Sequence, residues 1–275
     1  MTSSTLTPDT APPVRRASAA ARVRSLGRAE LLLLVRNRTT LFNALALAPA
    51  TVGFLAWIGA GSAPGLGDGA QGTATFLLTT LVAIALVLVV YYNLTTTLVA
   101  RREELVLKRL LTGEVSPTEI VVACATPAVA IVLAQLVLGA VAVAIWFTVP
   151  SVANPLWLVL GIGGGTVVFV LLAVVSSGLT RTVESAQLTT LPVIMVTMVL
   201  SGFTVPLDGL PDVVETVASW TPMYPVVALI EAGLGAEPGT DLSLSGLGQP
   251  LLCLTLWIVN GAWAARRWMR WEPRR

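Results

Sequence analysis

The chain has 275 residues, of which 55% are hydrophobic and only 12% are charged. Because soluble domains carry about 25% charged residues, this composition excludes a soluble domain and predicts a single integral membrane domain. The net charge of +2 gives no sign of a nucleic-acid partner, and the absence of histidine excludes serine–histidine catalysis and histidine-containing zinc sites.

Six apolar stretches are long enough to cross a bilayer, whose core of about 30 Å needs roughly 20 apolar residues per helix. The predicted fold is therefore all-α, with six transmembrane helices in a domain over 41–265 and a cytoplasmic tail over 266–275. The predicted spans are about 41–60, 75–99, 120–149, 156–180, 186–205 and 250–265.

The basic residues lie on one side of this predicted membrane. All 17 Lys and Arg residues fall in the N-terminal arm, the second-to-third and fourth-to-fifth connections, and the C-terminal tail. Cytoplasmic loops carry an excess of Lys and Arg. Both termini are therefore expected in the cytoplasm, with the chain in the cell membrane. The three opposite loops hold only acidic charges: Asp68, Asp208, Asp212, Glu215, Glu231, Glu237 and Asp241.

The N-terminal 40 residues divide into two parts. Residues 1–14 are rich in Ser, Thr and Pro and are expected to be disordered. Residues 15–40 alternate Arg with apolar residues, a pattern typical of an amphipathic helix that lies in the membrane interface. Glu30 shares the apolar stripe of this helix, so we expect it to have a partner, either an Arg or a donor on another subunit.

The connection between the second and third spans is charged, and its sequence contains signals for the start and the end of helices. Glu104 and Lys108 stand four residues apart in the favourable order on a short helix, and Gly113 is a stop signal. Ser116 begins the next helix, with Pro117 at its first position and Glu119 at the capping-box site. The sequence predicts a short charged helix, a break, and a new start into the third span.

Several polar or small residues inside the spans are better explained by packing than by a site. Tyr91 and its polar neighbours toward the inner end of the second span fit helix contacts better than a substrate path. The glycine run of 161–165 allows close helix approach and is not a nucleotide fingerprint, since no strand precedes it. Cys124 and Cys253 lack metal-ligand spacing. No metal or cofactor is predicted.

The segment over 206–249 is moderately apolar, but its prolines and glycines leave no stretch long enough to span. Short helices that dip into the outer leaflet would satisfy the backbone there. The residues that mark this re-entrant segment are Pro206, Pro211, Trp220, Pro222, Tyr224 and Pro225.

The sequence contains no visible energy source. The spans hold almost no ionisable residues of the kind that ion-coupled transporters use. Lys108 is the only lysine and no glycine precedes it in the spacing that a phosphate-binding loop requires. Uphill transport would therefore need work from another polypeptide.

The order of these features resembles the membrane subunit of type-2 ATP-binding-cassette exporters. The matching motifs are Arg101–Leu105 continuing to Leu110–Gly113, then Ser116–Ile120, Leu200–Pro206, Leu210–Pro211, and Trp220–Pro225. The resemblance runs from about residue 20 to 265.

This resemblance implies a permease without enzymatic activity of its own. Its partners would be two copies of a cytoplasmic ATPase, a second permease subunit (identical or a sibling), and membrane lipids. The family's coupling helix falls on Arg101, Arg102, Glu103, Glu104, Leu107, Lys108, Leu110, Leu111, Gly113 and Glu114. The expected cargo is amphipathic or lipophilic: a drug, a natural product or a lipid.

The sequence leaves one other class of function open, a membrane scaffold or sensor partner that transports nothing. An intramembrane hydrolase is disfavoured, since no His is present to activate Ser176 or Ser177. The high content of Ala, Val, Leu and Arg is typical of a GC-rich bacterial genome.

Overall fold

A computed structural model describes residues 18–59, 69–112, 115–147, 152–201, 211–235, 246–269 and 271. In these ranges the chain is helical and contains no strand. The predicted disordered segment 1–14 lies outside the described residues. The helices are α1 (Ala19–Arg36), α2 (Arg38–Gly59), α3 (Gly69–Ile84), a π-helical segment (Ala85–Tyr92), α4 (Asn93–Glu103), α5 (Val106–Leu111), α6 (Pro117–Trp146), α7 (Pro155–Leu179), α8 (Val183–Val199), α9 (Asp212–Ala218), α10 (Tyr224–Gly233) and α11 (Gly248–Trp268).

Three of the described helical stretches are long and apolar enough to cross a membrane. They are Gly72–Glu103, Pro117–Trp146 and Pro155–Leu179. A fourth is counted if α1 and the start of α2 form one span, although the chain bends by 88° between them. The all-helical prediction is confirmed for the described residues, while the number of six spans stays a prediction.

Local capping signals set where the helices begin. Ser116 accepts a hydrogen bond from the backbone of Glu119, whose side chain accepts one from the backbone of Ser116, so the predicted capping box is present. Thr182 and Ser185 form the same arrangement at the start of α8. The 30-residue helix α6 continues through Pro127 without a break. At 1.5 Å per residue its 30 residues exceed the hydrocarbon thickness of a bilayer.

The core lies between α7 and its neighbours. α7 packs against α10, α11, α4 and the π-helical segment, while α6 packs against α1, α2 and α3. Phe169 and Tyr91 are fully buried there, with their rings edge to face and their centroids 6.4 Å apart. The Tyr91 hydroxyl and the Ser176 hydroxyl share a hydrogen bond of 2.9 Å. These contacts agree with the interpretation of Tyr91 as a packing residue.

α7 and α11 run parallel and touch at intervals of seven residues. A Cβ added at Gly164 would lie 2.6 Å from Leu254, one at Gly261 would lie 3.1 Å from Leu171, and one at Gly178 would meet the backbone of Trp268. A seven-residue contact period is the geometry of helices that cross at a shallow angle. Small residues at these points let the two backbones approach closely.

The glycine run of the fourth predicted span serves packing, as the sequence indicated. A Cβ at Gly161 would contact Leu229 and Ile230 of α10, and one at Gly165 would contact Val226. Gly163 differs, because nothing lies within 4 Å of its added Cβ.

Candidate functional site

The basic residues gather at one end of the helix bundle. This end holds the C-termini of α4, α7 and α11 and the start of α6, because Arg102 reaches the end of α7, Gly178 meets Trp268, and Arg101 reaches Cys124. Such an arrangement agrees with the charge asymmetry in the sequence. The basic residues on these elements, on the adjoining α1 and α5, and in the turn after α7 are Arg22, Arg101, Arg102, Lys108, Arg109, Arg181, Arg266 and Arg267.

The predicted charged helix at this end is split in two. α4, the continuation of the second predicted span, includes Arg101 and Arg102 and ends at Glu103, and α5 starts only at Val106. Leu105 separates the two helices with a φ of 60° and a ψ of 14°. This left-handed conformation is costly for a residue with a Cβ and ends the first helix. The coupling segment, defined here as Arg101–Thr112, is therefore a span end, a tight turn and a six-residue helix.

Arg102 points into the protein. Its side chain is 1% exposed, and its guanidinium donates hydrogen bonds to the carbonyl oxygens of Ser177 at 2.7 Å, Thr180 at 2.6 Å and Arg181 at 3.2 Å. The last carbonyls of a helix lack partners within the helix and carry the negative end of its dipole. Arg102 thus caps the C-terminus of α7 with a positive charge.

Arg101 forms a bidentate ion pair with Glu30 of α1. Both guanidinium Nη atoms lie 2.5 Å from the two carboxylate oxygens of Glu30, and Nη1 also donates to the Cys124 sulfur at 3.2 Å. Paired hydrogen bonds of this kind fix orientation as well as distance. The sequence-based expectation of an Arg partner for Glu30 is confirmed, and that Arg belongs to the same chain.

A second ion pair ties α1 to the start of α6. Arg22 donates to Glu119 through Nε at 3.1 Å and Nη2 at 2.8 Å. Glu119 therefore closes the capping box of α6 and also holds α1. One turn further along α1, a Cβ added at Gly27 would lie 3.1 Å from the hydroxyl of Thr126. Together with Arg101–Glu30, these contacts attach α1 to both sides of the coupling segment.

The remaining predicted coupling residues divide into a polar surface and a packed side. Glu103, Glu104 and Lys108 are exposed, while Leu107 is 1% exposed and belongs to the core. Leu110 and Leu111 are partly buried against that core. α5 therefore presents charges outward and is anchored by leucines inward. Gly113 and Glu114 lie outside the described residues.

The predicted re-entrant segment contains two short helices, α9 and α10, joined by a turn over 219–223, and this helix–turn–helix unit is called the hairpin below. Its turn lies beside α11, where the Trp220 carbonyl accepts a hydrogen bond of 3.0 Å from Trp257 and the Ser219 hydroxyl one of 2.9 Å from Gln249. Pro222 is buried in this turn.

Other predicted residues mark the ends of the two short helices. Pro211 precedes α9 and is exposed, Tyr224 is the first residue of α10, and Pro225 is buried at its second position. Pro206 lies outside the described residues.

α10 lies antiparallel against the first half of α7. Gly233 meets Leu158, Ile230 meets Gly161, and Val226 meets Gly165. The backbone of Asn154 also donates to the Gly233 carbonyl at 3.2 Å. The hairpin is thus fixed to the end of α7 that is opposite to Arg102.

Glu231 is a carboxyl in the last turn of α10. Burial raises its pKa to about 7. α3 and α7, which pack against α10, carry no ionisable side chain in their described residues, and α11 contributes Cys253 near its start and two arginines at its far end. Among the described residues, Tyr224 and Glu215 are the further titratable groups that interact in this region.

Two features of the interior were not predicted. Gln135 of α6 is fully buried and donates to the Ala44 carbonyl of α2 at 2.6 Å. A lone Gln in an apolar span signals such an interhelical bond, and this signal was overlooked. The π-helical segment has no comparable sequence signal.

Comparison with known proteins decides the family. A family model described as ABC-2 family transporter protein matches residues 60–266. The chain belongs to the ABC-2 transporter family. The match spans the coupling segment, the hairpin, every helix from α3 to α10, and all of α11 except its last two residues. No curated protein sequence matches the chain.

Membership of the ABC-2 transporter family agrees with the long apolar helices. This ABC-2 protein is therefore a multi-pass membrane permease of the kind found in ABC exporters. The family resemblance drawn from the sequence is therefore confirmed.

Proposed function

We propose that this ABC-2 protein is the permease subunit of an exporter driven by separate cytoplasmic ATPase subunits. The single observation that carries the proposal is the construction of the coupling segment. Glu104 in the turn before α5 and Lys108 on α5 are both exposed, while Arg101 and Arg102 fix the base of the segment to α1 and α7. A charged, exposed helix on a rigid base suits a docking site that must transmit force, since surface charges set register and partner choice.

The proposed topology has six spans with both termini in the cytoplasm. The spans are α2, the continuous stretch of α3 to α4, α6, α7, α8 and α11, and α1 lies in the interface. α8, with 17 residues, is the shortest of them. Support comes from the basic residues gathered at one end of the bundle, because Lys and Arg are retained on the cytoplasmic side. The α9–α10 hairpin then lies on the outer side.

The proposed assembly pairs two permease subunits, identical or sibling, with two ATPase subunits. The proposed cargo is amphipathic or lipophilic: a drug, a natural product or a lipid. Support for this cargo class is the low polarity of the spans, in which polar side chains such as Tyr91 and Thr95 are bonded within the protein. The high content of Ala, Val, Leu and Arg, which is typical of GC-rich bacterial genomes, supports a bacterial source.

Co-purification and ATP hydrolysis test the docking. The double variant Glu104→Lys/Arg109→Glu should insert normally but lose the associated ATPase and its hydrolysis in nanodiscs. Glu215→Lys, an equally exposed charge change on α9, should retain both. A chain that exports lipophilic dyes in the absence of any ATPase would contradict the proposal.

Cysteine labelling tests the topology. Both native cysteines are first replaced, as Cys124→Ala and Cys253→Ala. In this background a membrane-impermeant maleimide should label Val213→Cys in intact cells. It should label Thr112→Cys only after the membrane has been permeabilised. The reverse pattern would contradict the proposed orientation.

A further inference from the structure

We propose that Arg102 is the positioning residue through which the coupling segment moves the outer hairpin. In this scheme α7, α10 and α11 form one rigid unit, with Arg102 at its inner end and the α9–α10 hairpin at its outer end. The inference deepens the proposed function and rests on it, since movement of α5 requires a docked ATPase.

The first step is the rigidity of the unit. α7 touches α11 at three levels separated by seven residues, and the last level places Gly178 against the backbone of Trp268. It touches α10 at three further levels, from Gly165 to Leu158. Close-packed interfaces with glycine at the contact points leave little room to slide without a clash. Displacement at one end of α7 is therefore expected to carry α10 and α11 with it.

The second step is the attachment at the inner end. Arg102 is adjacent to Arg101, and its guanidinium bonds three carbonyl groups at the end of α7 and in the turn to α8. The rigid, planar fork of an Arg can hold several acceptors at fixed angles, which the single ammonium of a Lys cannot. Because the group is charged and 1% exposed, pulling it away would leave the α7 carbonyls unsatisfied. α4 and α7 should therefore move together.

The third step is the connection at the outer end. The hairpin turn is bonded to α11 through Trp220–Trp257 and Ser219–Gln249. The backbone of Asn154 reaches the end of α10. α7 has 25 residues, which at 1.5 Å per residue is about 37 Å. A small tilt imposed at Arg102 would thus displace the hairpin at the far end of the same helix.

The test uses paired spin labels in the full-length complex with its co-purifying ATPase, in nanodiscs and with both native cysteines replaced by Ala. One pair, Ile145→Cys with Val213→Cys, reports the position of the hairpin relative to α6; these side chains are 70% and 74% exposed. A non-hydrolysable ATP analogue should shift this distance in the otherwise wild-type chain. Arg102→Gln should abolish the shift, while nucleotide still binds and the ATPase stays associated.

Two matched variants separate positioning from general stability. Arg181→Gln changes an exposed side chain at the same turn, whose carbonyl but not guanidinium takes part in the joint, and it should keep the full shift. Arg102→Lys retains the charge without the fork and should give a reduced shift. An unchanged shift in Arg102→Gln, or an equal loss in Arg181→Gln, would overturn the proposal.

A second label pair keeps the proposal testable if the Arg102 variants do not fold. Labels at Thr112→Cys and Gln187→Cys, on opposite sides of the joint, should keep a constant distance when the nucleotide analogue shifts the hairpin. A change between these labels would overturn the joint even in the wild-type background. Failure of the proposed function looks different: no ATPase would remain bound to the chain, and no label pair would respond.

Discussion

Gly178 of α7 and Trp268 of α11 are in backbone contact: a Cβ added to Gly178 would lie 3.0 Å from the carbonyl carbon of Trp268 and closer still to its oxygen. The obstacle is main chain, so rotation of a side chain cannot relieve it. This contact closes the C-terminal end of the α7–α11 pair directly beside the carbonyls that accept hydrogen bonds from Arg102.

Adding a methyl group at this contact should destabilise the protein. Gly178→Ala is expected to cost about 1–3 kcal/mol, the usual range for overpacking, and to lower the melting temperature in detergent. Gly163→Ala is the matched control on the same helix, because its added Cβ meets nothing within 4 Å. Equal melting temperatures for the two variants would contradict the close α7–α11 approach.

The Glu30–Arg101 pair should show strong energetic coupling. Glu30→Gln leaves a partly buried guanidinium without its carboxylate and is expected to cost about 2 kcal/mol, in the range for hydrogen bonds to charged groups. A double-mutant cycle with Arg101→Gln, measured by unfolding in mixed micelles, should give a coupling energy of about 1–3 kcal/mol. Glu103→Gln, which is exposed, serves as the control. Additive effects of Glu30→Gln and Arg101→Gln would argue against a direct pair.

The left-handed backbone at Leu105 predicts an inverted order of glycine and alanine. In a helix interior Ala is more stabilising than Gly by about 1 kcal/mol. At a φ of 60°, Ala keeps the steric penalty of a Cβ while Gly removes it. Leu105→Gly should therefore be more stable than Leu105→Ala by about 1 kcal/mol in thermal unfolding. The ordinary helical order at Leu105 would show that the turn has a different conformation.

Glu231 should make stability depend on pH. Its pKa of about 7 in the folded protein lies above the ordinary value near 4.3, so the folded state binds the proton more tightly than the unfolded state. The resulting stabilisation is complete below about pH 4.3 and is lost as the pH rises to about 7. The loss should reach up to about 3 kcal/mol.

Melting curves at pH 5 and pH 8 measure this effect. The wild type should melt at a lower temperature at pH 8, and Glu231→Gln should remove most of that difference. Glu215→Gln, on the neighbouring and exposed α9, should keep it. The Glu231 assignment fails if Glu231→Gln retains the wild-type dependence.

Features that depend on neighbouring residues in sequence were predictable, and features that depend on tertiary contacts were not. The capping box at Ser116 follows from a four-residue pattern, and the described helices α6 and α7 begin and end within three residues of the predicted spans. The π-helical segment carries no local pattern. It lies where α6 and α7 both pack, and Tyr91 within it bonds Ser176.

The role of Arg102 was hidden for a specific reason. Its acceptors are main-chain carbonyls of Ser177, Thr180 and Arg181, and any residue type supplies a carbonyl. No charge pattern in the sequence distinguishes Arg102 from its neighbour Arg101, whose partner is a carboxylate. The need of Glu30 for a partner was recognisable because a carboxylate on an apolar stripe requires one. The unpaired carbonyls at the end of α7 leave no such mark in the sequence.

The parallel pairing of α7 with α11 also has a consequence for biogenesis. Residues 180–247 separate the two helices, so the ribosome completes α7 well before its partner exists. Until then the surface of α7 that contacts α11 at Gly164 and Gly178 lacks its partner helix. Nascent or truncated permeases that lack α11 should therefore be recognisable to membrane proteases, and insertion of α11 would mark the completed subunit as ready for assembly.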